Sequence, residues 1–217
     1  MMSEPRLRLY HYWRSSCSWR VRWAFALKGI PCEFVPINLL SDEPESPEYL
    51  ARNPMGLVPT LEFLDEQGPL RYMAESTAII EWTEELFPEP RLLPKDPLTR
   101  ARARQLAQIV NAGTQPIQNL NVTHRHSSDP VEQKNWNIHW IRHGLSAYEK
   151  LVCQTAGIYS VGDTLSIADL YLIPQCYNAM RFDVPLSEFP TVLKIHAAAL
   201  TTAACQSTHP DRYAPKA

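Results

Sequence analysis

No stretch of this 217-residue chain is apolar over the roughly 20 consecutive residues that cross a bilayer, and the N-terminus lacks the basic-then-apolar order of a secretory leader. The chain therefore reads as soluble and cytoplasmic, with no membrane partner. Charge of one sign is not in excess either: the net charge is -2 at pH 7, which argues against a nucleic-acid surface. Positive charge is concentrated only locally, at Arg14, Arg20 and Arg22 and again at Arg100, Arg102 and Arg104, and both clusters read as helix surface. Cys-x-x-Cys pairs are missing. The five cysteines, Cys17, Cys32, Cys153, Cys176 and Cys205, are odd in number and scattered, as expected of reduced and mostly buried thiols. A metal site is not expected. His139 and His143 stand one helical turn apart, but Trp140 holds the place where a zinc-protease helix carries its acid, and Arg142 would oppose a cation. His124 and His126 alternate along a stretch that reads as loop.

What is present is ordinary globular composition, 45% hydrophobic and 20% charged, enough for one large or two small cores. Leu7 to Trp13 has the bias of a strand, and helical spacing runs from Ser16 to Leu27 until Gly29 stops it. A second strand is expected at Cys32 to Ile37, then a loop from Ser41 to Pro47 and a short helical piece near Glu48 to Arg52. Thr60 to Leu64 and Leu70 to Met73 flank the turn segment Asp65-Glu66-Gln67-Gly68-Pro69, which predicts an antiparallel hairpin. Ile79, Trp82, Thr83 and Leu86 mark a helix from Ser76 that Pro88 ends. Residues 1–87 thus read as a small mixed α/β domain and the proline-rich residues 88–98 as a linker. Residues 99–217 read as an all-helical domain, with helices at 99–114, 131–153, 166–179 and 190–200. Ser166-Ile167-Ala168-Asp169 is a capping box, and Pro174 inside the helix it starts predicts a kink.

Three segments carry chemistry. In Tyr10-His11-Tyr12-Trp13-Arg14-Ser15-Ser16-Cys17-Ser18-Trp19-Arg20 an aromatic strand runs into hydroxyls and a thiol at a helix start, where unpaired N–H groups and the helix dipole favour a thiolate. The thiol is either Cys17 itself or that of a bound cofactor. In Asn53-Pro54-Met55-Gly56-Leu57-Val58-Pro59-Thr60-Leu61 a proline precedes a strand, so Val58-Pro59 is either a cis turn that offers the Val58 backbone to an extended peptide or an ordinary trans turn. Glu75-Ser76 opens a helix. The hydroxyl and helix N–H groups suit a carboxylate and the acid an ammonium, together an α-amino acid head, although Ser76 also reads as a plain N-cap.

These segments, with Gln115-Pro-x-Gln-Asn119, Gly162-Asp-x-x-x-x-Ala-Asp169 and Pro174-Gln175-x-x-Asn178-Ala-x-Arg181-Phe182, resemble the zeta-class glutathione transferase and maleylacetoacetate isomerase family over almost the whole chain. The resemblance implies a thioredoxin-like N-terminal domain that binds glutathione, a helical-bundle C-terminal domain that shapes the acceptor pocket, and a homodimer. It also implies roles: Ser15, Ser16 and Cys17 around the glutathione sulfur, Val58 on the cysteinyl backbone, and Glu75 and Ser76 on the γ-glutamyl end. Gln115 and Asn119 would approach the cofactor from the second domain, and Arg14 and Arg181 would meet an acidic unsaturated substrate. The implied activity is cis–trans isomerisation of a maleyl keto acid, maleylacetoacetate first and maleylpyruvate as alternative. A transferase or dehalogenase, and a glutathione-binding protein without turnover, remain as other readings. The chain departs from the pattern at Glu43-Pro44-Glu45, where relatives carry a glutamine that contacts glutathione, at Glu75, at the tail after His209, and at Cys205.

Overall fold

The structure is a computed structural model that describes residues 7–64 and 68–215. The chain forms two compact units, one running to Pro90 and joined by the chain from Ala204 onward, the other Arg91–Ala203. Residues 204–217 therefore count with the first unit, whereas the sequence pattern carries the helical domain to the end.

In the first unit the elements are β1 (Arg8–His11), α1 (Ser16–Lys28), β2 (Glu33–Pro36), α2 (Pro47–Leu50), β3 (Thr60–Leu64), β4 (Leu70–Ala74) and α3 (Ser76–Leu86). The four described strands make one sheet in the order β2-β1-β3-β4. β1 runs parallel to β2, with Leu9 opposite Phe34, and antiparallel to β3, with Leu9 opposite Leu61. The expected hairpin forms between β3 and β4. Asp65, Glu66 and Gln67 of its turn lie outside the described residues. α1 begins at its Ser15 cap and stops where Gly29 takes a left-handed φ of 65°. Lys28, fully buried, pairs with Glu84 of α3 at 2.7 Å and donates to the Phe87 carbonyl, joining the two helix ends.

Most of α1 is buried. Trp19, Arg20, Val21, Arg22, Trp23, Ala24 and Phe25 are all buried, so Arg20 and Arg22 correct the helix-surface expectation. Part of the cover is α3, and part is the last segment of the chain, α9 (Ala203–Thr208) and the 3-10 turn Pro210–Tyr213. Trp19 Nε1 donates to Thr208 Oγ1 at 3.1 Å, and the Tyr213 ring lies 4.5 Å from the Arg22 guanidinium. In the other arginine cluster, Arg102 and Arg104 are exposed as expected.

The second unit contains α4 (Pro97–Asn111), α5 (Leu120–His126), α6 (Pro130–Val152), α7 (Ile167–Arg181) and α8 (Pro190–Leu200). α5 forms where the sequence pattern reads as loop, with His124 and His126 in its last turn. The capping box forms: Asp169, fully buried, accepts from Ser166 N and Ser166 Oγ through one oxygen and from Ser160 N through the other. α7 runs on through Pro174 without interruption. α8, which has no cap of its own, is capped by Glu149 of α6, whose carboxylate accepts from the Thr191 and Val192 N–H groups at 2.9 Å. No helix among the described residues is long and apolar enough to cross a membrane.

Gly144, in the middle of α6, faces Thr114, whose side chain bonds the Ile109 carbonyl at the end of α4. A Cβ at Gly144 would meet Thr114 Oγ1 in overlap and stand 3.0 Å from Thr114 Cβ. Two effects compete in Gly144→Ala. Helix propensity favours alanine by about 1 kcal/mol, while overpacking costs about 1–3 kcal/mol, and the stiff branched partner decides for the cost. The variant is expected to unfold at lower urea concentration, and Gly144→Ala with Thr114→Ala, which removes the overlapping oxygen, should recover part of the loss. An alanine variant more stable than the parent would refute this close approach.

Candidate functional site

The first unit places two helix starts beside one strand entry. At the head of α1, Ser15 is the N-cap, with extended backbone and an Oγ that accepts from Ser18 N at 3.2 Å. A hydroxyl has one proton and two lone pairs, so with the backbone N–H occupying an acceptor position the Ser15 proton is left to donate outward. Ser16 is buried and Cys17 half-buried. No acid stands in the first turn, so the positive helix end is left uncompensated by the helix itself. Ser18, fully buried, receives the Tyr12 N–H at 3.4 Å and fixes the turn from β1 into α1. Arg14 lies over the Trp13 ring at 5.3 Å.

The strand entry is held by residues the sequence reading did not single out. Tyr49 of α2, fully buried, donates to the Leu57 carbonyl at 2.7 Å, and Asn53 Nδ2 donates to the same oxygen at 2.7 Å. Gly56, with φ 62°, allows the chain to pass the Pro44 carbonyl, which an added Cβ would approach to 2.9 Å. The Val58-Pro59 bond that follows is cis. Among the described residues nothing bonds the N–H or C=O of Val58, the two groups that an extended peptide needs to add itself as a strand.

At the head of α3, Glu75 is the N-cap and Ser76 the first helical residue. Glu75 takes φ 69° and ψ 112°, a conformation that non-glycine residues hold at a cost of about 1–3 kcal/mol and that clusters at ligand-binding positions. Its side chain is exposed, makes no capping bond, and has no partner among the described residues. Ser76, buried, accepts from Arg20 Nη1 of α1 at 3.2 Å, so its proton, like that of Ser15, is free to donate. Arg20 thereby ties the head of α3 to the body of α1. In the acidic loop both Glu43 and Glu45 are exposed, and Glu43 accepts from the Asn38 N–H at 2.7 Å.

The remaining expected residues lie in the second unit. Gln115 follows α4, with its N–H bonded to the Val110 carbonyl, and Asn119 caps α5. Arg181 is exposed at the end of α7 and donates to Asn178 Oδ1 at 3.2 Å. The two glutamine-bearing motifs meet through buried Gln118 and Gln175, whose amides exchange hydrogen bonds of 2.8 and 3.1 Å. Gln175 sits in the apolar body of α7, which is a sequence signal for a structural amide, whereas Gln118 lies in the turn between α4 and α5 and carries no such signal. For Arg20 and Arg22 the signal was two cations among the large apolar residues of a helix that contains no acid.

Burial and the nearby Arg22 hold the His11 imidazole down to about 3, and burial lowers Arg22 itself to about 10, so at neutral pH the first is neutral and the second charged. Burial raises Cys32 to about 12 and Cys205 to about 12, which makes both poor nucleophiles. Among the described residues no group of three or more side chains can hold a metal.

Residues 9–91 match the family model for the glutathione S-transferase N-terminal domain. Maleylacetoacetate isomerase of Rattus norvegicus is 46% identical over 206 residues, spanning 94% of this chain and 92% of the rat protein. The crystal structure of maleylacetoacetate isomerase from Anaeromyxobacter dehalogenans 2CP-1, with glutathione bound in its active site, superimposes with a TM-score of 0.89 at 45% identity, over 97% of this chain and 98% of that one. The holo structure of a zeta-class bacterial maleyl pyruvate isomerase gives 0.89 at 37% identity, over 97% and 100%.

Proposed function

This chain belongs to the zeta-class glutathione transferase and maleylacetoacetate isomerase family, and on that premise we propose that it is a glutathione-dependent cis–trans isomerase of a maleyl keto acid, with maleylacetoacetate as the first substrate. The observation that carries the reading is the head of α1, where an uncompensated helix start and a Ser15 hydroxyl with its proton to spare face the same direction of chemistry, an anion.

The residues present fit the tripeptide. The unbonded Val58 N–H and C=O suit its cysteinyl backbone, the unpartnered Glu75 carboxylate its ammonium, and Ser76 with the α3 N–H groups its γ-glutamyl carboxylate. When bound, glutathione supplies a thiolate that adds reversibly to the conjugated cis double bond and so permits rotation to trans. Ser15 donates to the sulfur, and the α1 dipole favours its ionised form. Cys17, half-buried and in the first turn, lines the sulfur without forming a bond to substrate. We assign Gln115 and Asn119 to cofactor binding and Arg14 and Arg181 to the substrate carboxylates and to the charge that develops on the keto oxygen. The exposed Leu64, Leu70 and Tyr72 of the β3–β4 hairpin support a homodimer, and five free thiols support a reducing cytoplasmic setting.

The test is loss of maleylacetoacetate absorbance with glutathione at catalytic concentration, with free thiol assayed in parallel. Turnover at constant free thiol is expected. Thiol consumed in step with product would make the protein a transferase or dehalogenase, and calorimetric binding without any reaction would make it a binding protein. The same assay with maleylpyruvate ranks the two keto acids by kcat/KM.

A further inference from the structure

We propose that Arg22 is a positioning residue of the thiolate site, its buried guanidinium holding the turn that presents Ser15 and standing as the internal counter-charge to a sulfur anion at the head of α1. The inference rests on the reading that glutathione binds there.

Ser15, Ser18 and Arg22 follow one another at three- and four-residue spacing, so they share one stripe of α1, the stripe facing the β1–α1 turn. Each member of the stripe grips that turn. Ser18 N bonds Ser15 Oγ, Ser18 Oγ receives the Tyr12 N–H, and Arg22 donates to the Trp13 carbonyl at 3.1 Å and the Tyr12 carbonyl at 3.5 Å. Arg22 thus holds the carbonyls of the two residues that lead into Arg14 and Ser15.

The charge of Arg22 is fully buried and its electrostatic surroundings are unusual. Its Nη1 is 2.9 Å from His11 Nδ1, which must accept, so His11 is neutral with its proton on the other nitrogen. The flat face of the guanidinium is closed by the Tyr213 ring at 4.5 Å, and Nε has no acceptor. Around Tyr213 stand Cys32 and Arg212, neither of them an anion at neutral pH. No carboxylate among the described residues pairs with Arg22. A buried cation without a counter-ion is costly to keep, and dispersion and carbonyl contacts do not neutralise it. A negative sulfur next to Ser15 does. The low dielectric that makes the isolated cation expensive also carries its field to the head of the helix, with Tyr213 covering the guanidinium face.

The experiment is a pH titration of the thiolate ultraviolet absorbance in the binary complex with glutathione, run beside calorimetry and thermal melting. In the parent protein the bound thiol should ionise well below its value in buffer. In Arg22→Met the ionisation should move up by about one pH unit, a tenfold loss of thiolate preference. Arg22→Lys, which keeps the charge and loses the fork, should restore most of it. Tyr213→Ala, which leaves Arg22 in place and admits water, should shift ionisation in the same direction by less, and serves as the test if Arg22→Met does not fold. A role in stability alone would lower the melting temperature and leave the titration where it was, and that result in a folded variant overturns the proposal. A parent protein that does not bind glutathione would instead remove the reading on which it rests.

Discussion

Ser15→Ala is expected to lower kcat at neutral pH about ten- to hundredfold while leaving a folded protein. The hydroxyl does two separable things. As N-cap it receives the Ser18 N–H, a role whose loss costs about 0.5–2 kcal/mol of stability. As donor it holds a charged sulfur, and a hydrogen bond to a charged group is worth about 1.5–3 kcal/mol, which corresponds to about one to two pH units of thiol ionisation. Ser15→Gly separates the roles, because glycine costs only a few tenths of a kcal/mol as a cap and donates nothing from a side chain. Both variants should therefore lose activity to a similar extent, and both should regain it as pH rises and the thiol ionises unaided. Ser15→Thr, which keeps the hydroxyl, should stay close to the parent. Cys17→Ala should keep most of its turnover, since the Cys17 thiol is in the first turn but outside the capping bond. Full neutral-pH turnover in Ser15→Ala together with its loss in Cys17→Ala would transfer the role to the thiol.

Acidification is expected to destabilise the first unit through His11. This imidazole, at the end of β1, is buried against Phe34 and Tyr213, beside the Arg22 cation. Its folded value of about 3 lies below the ordinary 6.5, so between those limits the unfolded chain takes up a proton that the folded chain refuses. The contribution is complete above pH 6.5 and is lost as pH falls towards the folded value, by about 1.4 kcal/mol for each pH unit. From pH 7 to pH 5 that amounts to about 2 kcal/mol. His11→Gln supplies an uncharged acceptor for Arg22 and has no proton to gain, so its unfolding free energy should depend less steeply on pH by one proton. Urea unfolding of both proteins across this range decides it. Parallel curves would mean that His11 is accessible to protons in the folded state.

Much of the fold was legible because its signals are local. Ser15 before an apolar helix, Gly29 after it, Pro59 at a strand start, Pro88 after α3 and the Ser166–Asp169 box each act on the backbone within a turn of their own position, and the elements begin and end where those residues stand. α5 escaped because it is a seven-residue helix whose stability comes from the neighbours it packs on, with His126 stacked on Trp136 and Thr123 bonded to Asn137 of α6. Arg20 and Arg22, which read as helix surface, are interior for a different reason. Whether a helix face meets water depends on what covers it, and here Arg20 bonds Ser76 of α3 while Arg22 lies under Tyr213, more than 180 residues further along.

The sequence alone determined most of the elements (though neither α5 nor α9), the two helix starts able to receive anions, the proline-bounded strand entry between them, and the family, because hydrogen-bonding habits and backbone restrictions of single residues are readable without neighbours. Only the tertiary structure decided which hydroxyls have a proton left to give, which glutamines serve each other rather than a ligand, and which arginines are interior charges. Those properties belong to pairs of groups brought together by folding, such as Arg20 with Ser76 and Gln118 with Gln175, each pair more than 50 positions apart along the chain.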